Sequence, residues 1–209
     1  MNYVNAVLTD TKLIGGVTTS HGGNAILNNG TLTINGSTEL TGGETAAQGG
    51  AIRVYKSTVI MNSGTISGGS AKKYAEYSNA NISLSTGSKL YMLGGTIVAS
   101  ENADRRGTAI DAGSNCSVYL GGNATIVDSS DLAGINARDT TIVRICNGWS
   151  GSAKIYLNKI FEAGADVPVQ IVTLDKNLNE TAGGAYTGTL TQQGGLTIVG
   201  NPDGTAKVG

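Results

Sequence analysis

GGAIRVYKSTVIMNSGTISGGSA, residues 49–71, decides the fold. It holds two alternating apolar stretches, then Ile66 in a bare Thr-Ile pair, with small residues at each break. Alternation puts Val59 and Met61 on one face of a strand. The i, i+3, i+4 stripe that a helix would need is missing. Three strands this short cannot bury their apolar faces by themselves, so the pattern has to recur.

It recurs on both sides. GGNAILNNGTLTINGSTELTGG begins at Gly22, NANISLSTGSKLYMLGGTIVAS at Asn79 and GTAIDAGSNCSVYLGGNATIVDS at Gly107, and a worn copy, GINARDTTIVRICNGWSGSAKI, begins at Gly134. The first isoleucines of the copies are Ile26, Ile52, Ile82, Ile110 and Ile135, separated by 26, 30, 28 and 25 positions. A second strand brings Leu32 and Ile34, Val59 and Met61, Leu90 and Met92, Val118 and Leu120, Val143 and Ile145. A third contributes Leu40, Ile66, Ile97 and Ile126.

Three strands per copy, with Gly, Asn and Ser corners, form one coil of a three-sided parallel β-helix. Coils stack at roughly 4.8 Å with like residues above like. The sequence therefore predicts an all-β, right-handed solenoid of about five full coils with capped ends. Residues 1–21 are expected to form an N-terminal cap or partial coil, 22–157 the coils, and 158–209 a last coil with capping strands. In that last part, YTGTLTQQGGLTIVG reads as a hairpin-like pair covering the open end. A β-sandwich also spaces its strands closely, but it has no reason to repeat Gly-x-Ala-Ile at these steps.

Composition agrees. Of 209 residues 32 are Gly and only 2 Pro, against both collagen and a Pro-rich tail, and charged residues make up 14%, about half the usual share. A net charge of −1 gives no field to draw nucleic acid or an anionic membrane. No run of 18 apolar residues suggests a membrane helix, so this segment is not expected to insert into a membrane. MNYVNAVLTDTKL lacks a basic region followed by an apolar core; the chain reads as a segment of something longer.

Gly49-Gly50-Ala51-Ile52, with variants at Gly23-Asn24-Ala25-Ile26 and Gly107-Thr108-Ala109-Ile110, resembles the GGA[ILV] motif of chlamydial polymorphic outer-membrane proteins. The same motif recurs in large repetitive surface proteins of gut Firmicutes, whose repeats the ending GTISGGSA is similar to. The companion Phe-x-x-Asn motif is approximated by Leu32–Asn35 and Val59–Asn62, which keep the asparagine without the aromatic. The resemblance spans roughly residues 20 to 160 and implies an extracellular, adhesin-like β-helix at a bacterial cell surface.

Stacking places Thr33, Ile60, Tyr91, Tyr119 and Arg144 in one ladder on the outward side of the second strand. Tyr and Arg are enriched at interfaces, so Ile60, Tyr91, Tyr119 and Arg144 are candidate ligand-binding residues; the same ladder would also serve simply as stacked sheet neighbours. The long corner of the second coil, AKKYAEYSN, adds Lys72, Tyr74 and Tyr77 as candidates, beside the reading of a tolerated insertion. Glu101, Asp104, Asp128 and Asp131 fall at one corner, where ion pairing outweighs a calcium or catalytic site. Cys116 and Cys146 lie about 16 Å apart in the stack, too far for a disulfide. His21, the only histidine, has no partner at a catalytic or metal-ligating spacing.

No P-loop, dinucleotide fingerprint, zinc spacing or nucleophile elbow occurs. Catalytic residues, metal and cofactors are therefore expected to be none. The sequence points to a non-enzymatic, monomeric binding module whose partner is a host protein or glycan, with no nucleic acid involved. The alternatives are a polysaccharide-active β-helix enzyme (lyase or depolymerase) and a purely structural stalk.

Overall fold

The computed structural model describes residues 4–19, 25–45, 49–71, 80–99, 101–102, 105–128, 134–138, 140–157 and 159–209; of residues 26, 45, 70–71, 101–102 and 105–106 it describes the backbone only. The described residues form strands and turns with no helix, and the strands stack as a parallel β-solenoid of about five turns.

Three walls enclose the core. Wall one runs through Ala25–Asn28, Ile52–Tyr55, Ala80–Ser85, Thr108–Ala112, Ile135–Ala137, Ser152–Tyr156 and Thr189–Gln192. Wall two runs through Asn5–Thr9, Thr31–Asn35, Thr58–Met61, Lys89–Met92, Ser117–Leu120, Ile142–Cys146 and Val169–Leu174. Wall three is shorter: Lys12–Ile14, Glu39–Thr41, Thr65–Ser67, Thr96–Val98 and Thr125–Val127. All pairs within these runs are parallel. A fourth, two-residue ladder occupies the corner after wall three in the first coils, at Val17–Thr18, Glu44–Thr45 and Ser70–Ala71.

Register confirms the expected columns. On wall two Leu32, Val59, Leu90, Val118 and Val143 stand in one line, and Ile34, Met61, Met92, Leu120 and Ile145 in the next. Every one of these is at most 1% exposed, so the core is closed along its length. Leu40, Ile66, Ile97 and Ile126 form the wall-three column.

One column is corrected. Ile52, Ile82, Ile110 and Ile135 stack, but Ile26 stands opposite Arg53; Ala25 faces Ile52 and Leu27 faces Val54. Matching the Ala-Ile pairs sets the two copies 26 positions apart, whereas the strands pair at 27, and a one-residue slip exchanges the two faces of a strand. Ala25 thus takes the place in the isoleucine column, and the buried Leu27 heads the neighbouring column of Val54 and Leu84.

The glycine corners are close approaches. A Cβ on Gly69 would sit 2.7 Å from Gly50 Cα, and one on Gly42 would sit 2.4 Å from Gly69 Cα. The Gly42–Gly69 approach thus lets one coil pack directly on the next, and the Gly50–Gly69 approach brings the two ends of one coil together. The asparagines of the companion motif also stack, Asn62 Nδ2 donating to Asn35 Oδ1 at 2.8 Å.

The two ends differ. At the N-terminal end Asn5–Thr9, Lys12–Ile14 and Val17–Thr18 form a partial coil whose Val7, Ile14 and Val17 are 65%, 73% and 81% exposed, while its inward-facing Leu8 and Leu13 are partly buried. At the other end Thr189–Gln192 joins wall one in parallel, and Thr191 also pairs antiparallel with Thr197 across a tight, hairpin-like turn. Ile198–Gly200 pairs antiparallel with Ala206–Val208, which pairs antiparallel with Asp166–Val167. Fully buried Trp149 closes the core there, donating from Nε1 to Ala124 O at 2.9 Å and packing against Tyr186.

Candidate functional site

The expected outward ladder exists as a register. Thr33, Ile60, Tyr91, Tyr119, Arg144 and Gln170 stand side by side on the outer face of wall two. Its expected exposure is corrected. Tyr91, Tyr119 and Arg144 retain only 6%, 4% and 9% of their accessible surface, and Ile60 is half-buried. The cover is a hairpin that the repeat does not encode. Val169–Leu174 leaves wall two and turns at residues 175–179, and Glu180–Ala182 returns antiparallel to it. Leu174 and Leu178 from this hairpin, with Leu93, complete a second apolar cluster around Tyr91, Tyr119, Cys146 and Val172.

Each ring face in the cluster has a neighbour. Tyr91 and Tyr119 stack at 4.2 Å between centroids with planes 16° apart, and Arg144 Cζ lies 5.1 Å over the Tyr119 ring. Arg144 is fixed from two sides. Its Nη1 donates to Ser117 Oγ at 3.1 Å, and its Nε lies 2.9 Å from Glu180 Oε2, near enough to pair but not aligned as a hydrogen bond. Burial pushes the Tyr119 hydroxyl well above the usual phenol range, against the opposing pull of Arg144. The Cys146 thiol is raised to about 12 by burial first and the Glu180 charge second. These groups form a structural seam rather than an open platform, with no free aromatic face on which a ligand could stack.

One open cleft lies at the hairpin's tip. A cleft of about 400 Å³ separates the tip from the wall, with Lys56, Ser57, Thr58, Gly87, Lys89 and the edge of Tyr91 on one side and Asn177, Leu178 and Asn179 on the other. Wall two supplies Thr58 and Lys89 as register neighbours, while Lys56 sits at the corner leading into Thr58. The tip is braced from within. Asp175 Oδ1 accepts from the amides of Asn177 and Asn179 at 2.7 and 3.0 Å, and Oδ2 accepts from Asn179 Nδ2 at 2.9 Å. Those bonds, the Asn179 side chain first, hold the Asp175 carboxyl below its ordinary range.

Backbone strain concentrates around this cleft. Among the described residues six non-glycine positions have positive φ: Asp10, Asn29, Lys56, Thr86, Asn115 and Leu178. Asp and Asn tolerate the left-handed region; Lys, Thr and Leu do not. Of these three, Lys56 (φ 47°) and Leu178 (φ 63°) line the cleft, and Thr86 (φ 52°) precedes Gly87, which also lines it.

The remaining candidates fall as follows. Lys72, Tyr74 and Tyr77 lie outside the described residues, as do His21, Asp104 and Asp131. Glu101 stands opposite Arg106 in a two-residue antiparallel pair, and Asp128 forms an ion pair with Lys154 of the next coil. Among the described residues no group of three His, Cys, Asp or Glu side chains could hold a metal. Cys116 and Cys146 are both free and buried, Cys116 in the inner core and Cys146 in the outer cluster. Asp111, raised by burial against the pull of Arg138, is held by Arg138 Nε and Nη2 at 3.0 and 2.9 Å and by Asn136 Nδ2 at 2.9 Å. A broader groove of about 890 Å³ at the C-terminal end carries Asp166, Glu180 and Asp203. There Glu180 is committed to Arg144 and Asp203 to Thr205.

The cleft was missed in the sequence. Lys56 could have been flagged, because the corner where it stands holds Asn29 and Asn115 in other copies. Nothing in the repeat points to Asn177 and Asn179. No protein-family profile, curated protein or solved structure matches the chain. Among the described residues no helix is long and apolar enough to cross a membrane.

Proposed function

We propose that the chain is a non-enzymatic binding module of an adhesin-like protein at a bacterial cell surface, and that it recognises a host glycan or protein at the cleft beneath the hairpin tip. The observation that carries this reading is the concentration of strain there. Left-handed Lys and Leu residues each cost on the order of 1 kcal/mol or more. A stalk would have no reason to retain both at one open cleft. The stacked tyrosines support the scaffold, fixing the wall against which the tip is held. The GGA[ILV]-like repeats favour the cell-surface setting.

The experiment is a screen of the protein against a glycan array and a panel of host secretory proteins, repeated with Thr58→Trp. Thr58 has the outward parity on its strand, and tryptophan there fills the cleft whatever the charge of its occupant. The expected result is a retained ligand that the variant loses while its melting temperature stays near the parent's. A ligand bound equally by both proteins would move the site elsewhere, and no ligand at all would leave the stalk reading.

A further inference from the structure

The charge of the cleft narrows what it can hold, taking as given that the cleft is the binding site. Lys56 and Lys89 are exposed and enter it from adjacent coils, and no carboxylate lines it. Neither lysine forms an ion pair or hydrogen bond among the described residues; Lys56 has only a ring contact, its Nζ lying 5.4 Å from the Tyr55 centroid. The nearby acid, Asp175, does not line the cleft; its exposed carboxylate accepts three hydrogen bonds within its own hairpin. In a chain of net charge −1, two uncommitted ammonium groups in one small cleft form a local positive site.

Other groups around them are hydrogen-bonding and small. The Asn177 side-chain amide has no partner among the described residues, and Thr58 stands opposite it, while the buried Ser57 hydroxyl is already bonded to Tyr55 O and the Gly30 amide. Hydroxyls and amides of this kind match the hydroxyls of a sugar. A peptide added as a strand is disfavoured, because Thr58–Met61 is already paired on both sides, to Thr31–Asn35 and Lys89–Met92, and offers no free backbone edge. The volume suits a ligand of one or two rings.

We infer that the cleft binds an anionic sugar, with the carboxylate held between Lys56 and Lys89 and the ring hydroxyls facing Asn177 and Thr58. The strain at Lys56 follows from this. The corner it occupies is filled by asparagine in two other coils, so retaining lysine there keeps a cation at a position that the backbone alone would give to asparagine.

The same comparison supplies the test variants. Lys56→Asn removes the charge and installs the residue the corner prefers. Lys89→Thr installs the residue that its register neighbour Thr58 already carries. Both should fold, Lys56→Asn with an unchanged or slightly higher melting temperature. The protein and each variant are titrated with sialyllactose, with trigalacturonate and with neutral lactose at two salt concentrations. The expected result is that at least one acidic sugar binds and lactose binds at least about tenfold more weakly. Each lysine change should weaken the acidic sugar about tenfold, as for loss of a charged hydrogen bond, and added salt should weaken it in the parent. The two acids separate a sialic from a uronic source. Lactose binding as tightly as the acids, or lysine variants that bind like the parent, would overturn the inference. If Thr58→Trp abolishes a neutral sugar or protein ligand that the lysine changes leave intact, the binding reading stands and the anionic assignment falls. If no ligand responds to Thr58→Trp, both fall.

Discussion

Leu90 and Tyr91 are neighbours on one strand, both buried, and buried by different parts of the chain. Leu90 points inward between Val59 and Val118, its equivalents in the adjacent coils. Tyr91 points outward and is stacked by Tyr119 from the next coil, but its roof is Leu178, from a hairpin almost ninety positions later. The inward face is closed by repetition, and the outward face is closed once, by an element that belongs to no repeat. The core should therefore open only when the solenoid unfolds, whereas the outer seam can open when one hairpin lifts.

The strongest way to test this difference is to cut each face separately. Leu90→Ala leaves a hole in a column that nothing can collapse into and should lower unfolding stability by about 4 kcal/mol. Tyr119→Ala removes a ring from a seam at the surface and should cost about half that, because solvent and the hairpin can relax into the space. Chemical denaturation of both variants reads the difference; equal losses would mean the hairpin is as rigid as the coils.

That asymmetry also explains what the sequence did and did not disclose. The columns through Leu32, Leu40 and their equivalents were legible because each member's neighbours are its own copies, so alignment alone predicts burial. Ile26 is the exception because its Ala-Ile pair mimics Ala51-Ile52 one position out of step; the 27-residue offset of Leu32 from Val59 sets Leu27 opposite Val54 in the core, as observed. Tyr91, Tyr119 and Arg144 were put in the right ladder with the wrong surroundings. Outward parity implies solvent only if nothing non-repeating folds over the wall, and Leu174, Leu178 and Glu180 carry no periodic signal. The cleft was half legible, through the lysine at an asparagine corner, while its other half depends on where that hairpin ends.

The two cysteines report on the two faces directly. Cys116 lies in the inner core and Cys146 under the hairpin, 1% and 5% exposed. In the native protein Cys146 should be alkylated on the order of a hundredfold faster than Cys116, the ratio expected if local opening needs a few kcal/mol less than global unfolding. Mass spectrometry of peptides from a timed iodoacetamide reaction at fixed pH measures it. Equal rates would mean that the hairpin opens only with the whole molecule. Both thiols should be modified after denaturation without reductant, since both are free.

Alkaline pH should weaken the fold through the seam, alongside the buried Cys116, whose thiol burial also pushes up. The Cys146 thiol has its folded value raised from 9.0 to about 12. Between those values the folded state holds a proton that the unfolded state has released, so stability is complete below pH 9 and declines as pH rises toward 12. Each unit in that window corresponds to about 1.4 kcal/mol. Cys146→Ala should flatten this part of the stability curve, with Tyr119→Phe removing a smaller share through the other raised group. A curve unchanged by both substitutions would show that neither proton is retained by the fold.

The smallest expected effect is at Leu178, where two terms oppose. Its φ of 63° is unfavourable for leucine by roughly 1–2 kcal/mol, yet its side chain roofs the tyrosine cluster. Leu178→Gly relieves the backbone and removes a half-buried apolar side chain worth about as much. Global stability should thus move by less than about 1 kcal/mol, within the usual range for a surface substitution. The lid itself should not be neutral. With the roof gone, Cys146 should alkylate several-fold faster while Cys116 keeps its rate. A slowed Cys146 would mean that backbone strain, not the leucine side chain, sets how often the hairpin lifts. In that case the strain at the tip favours opening, and the seam and the cleft would be governed by the same residue.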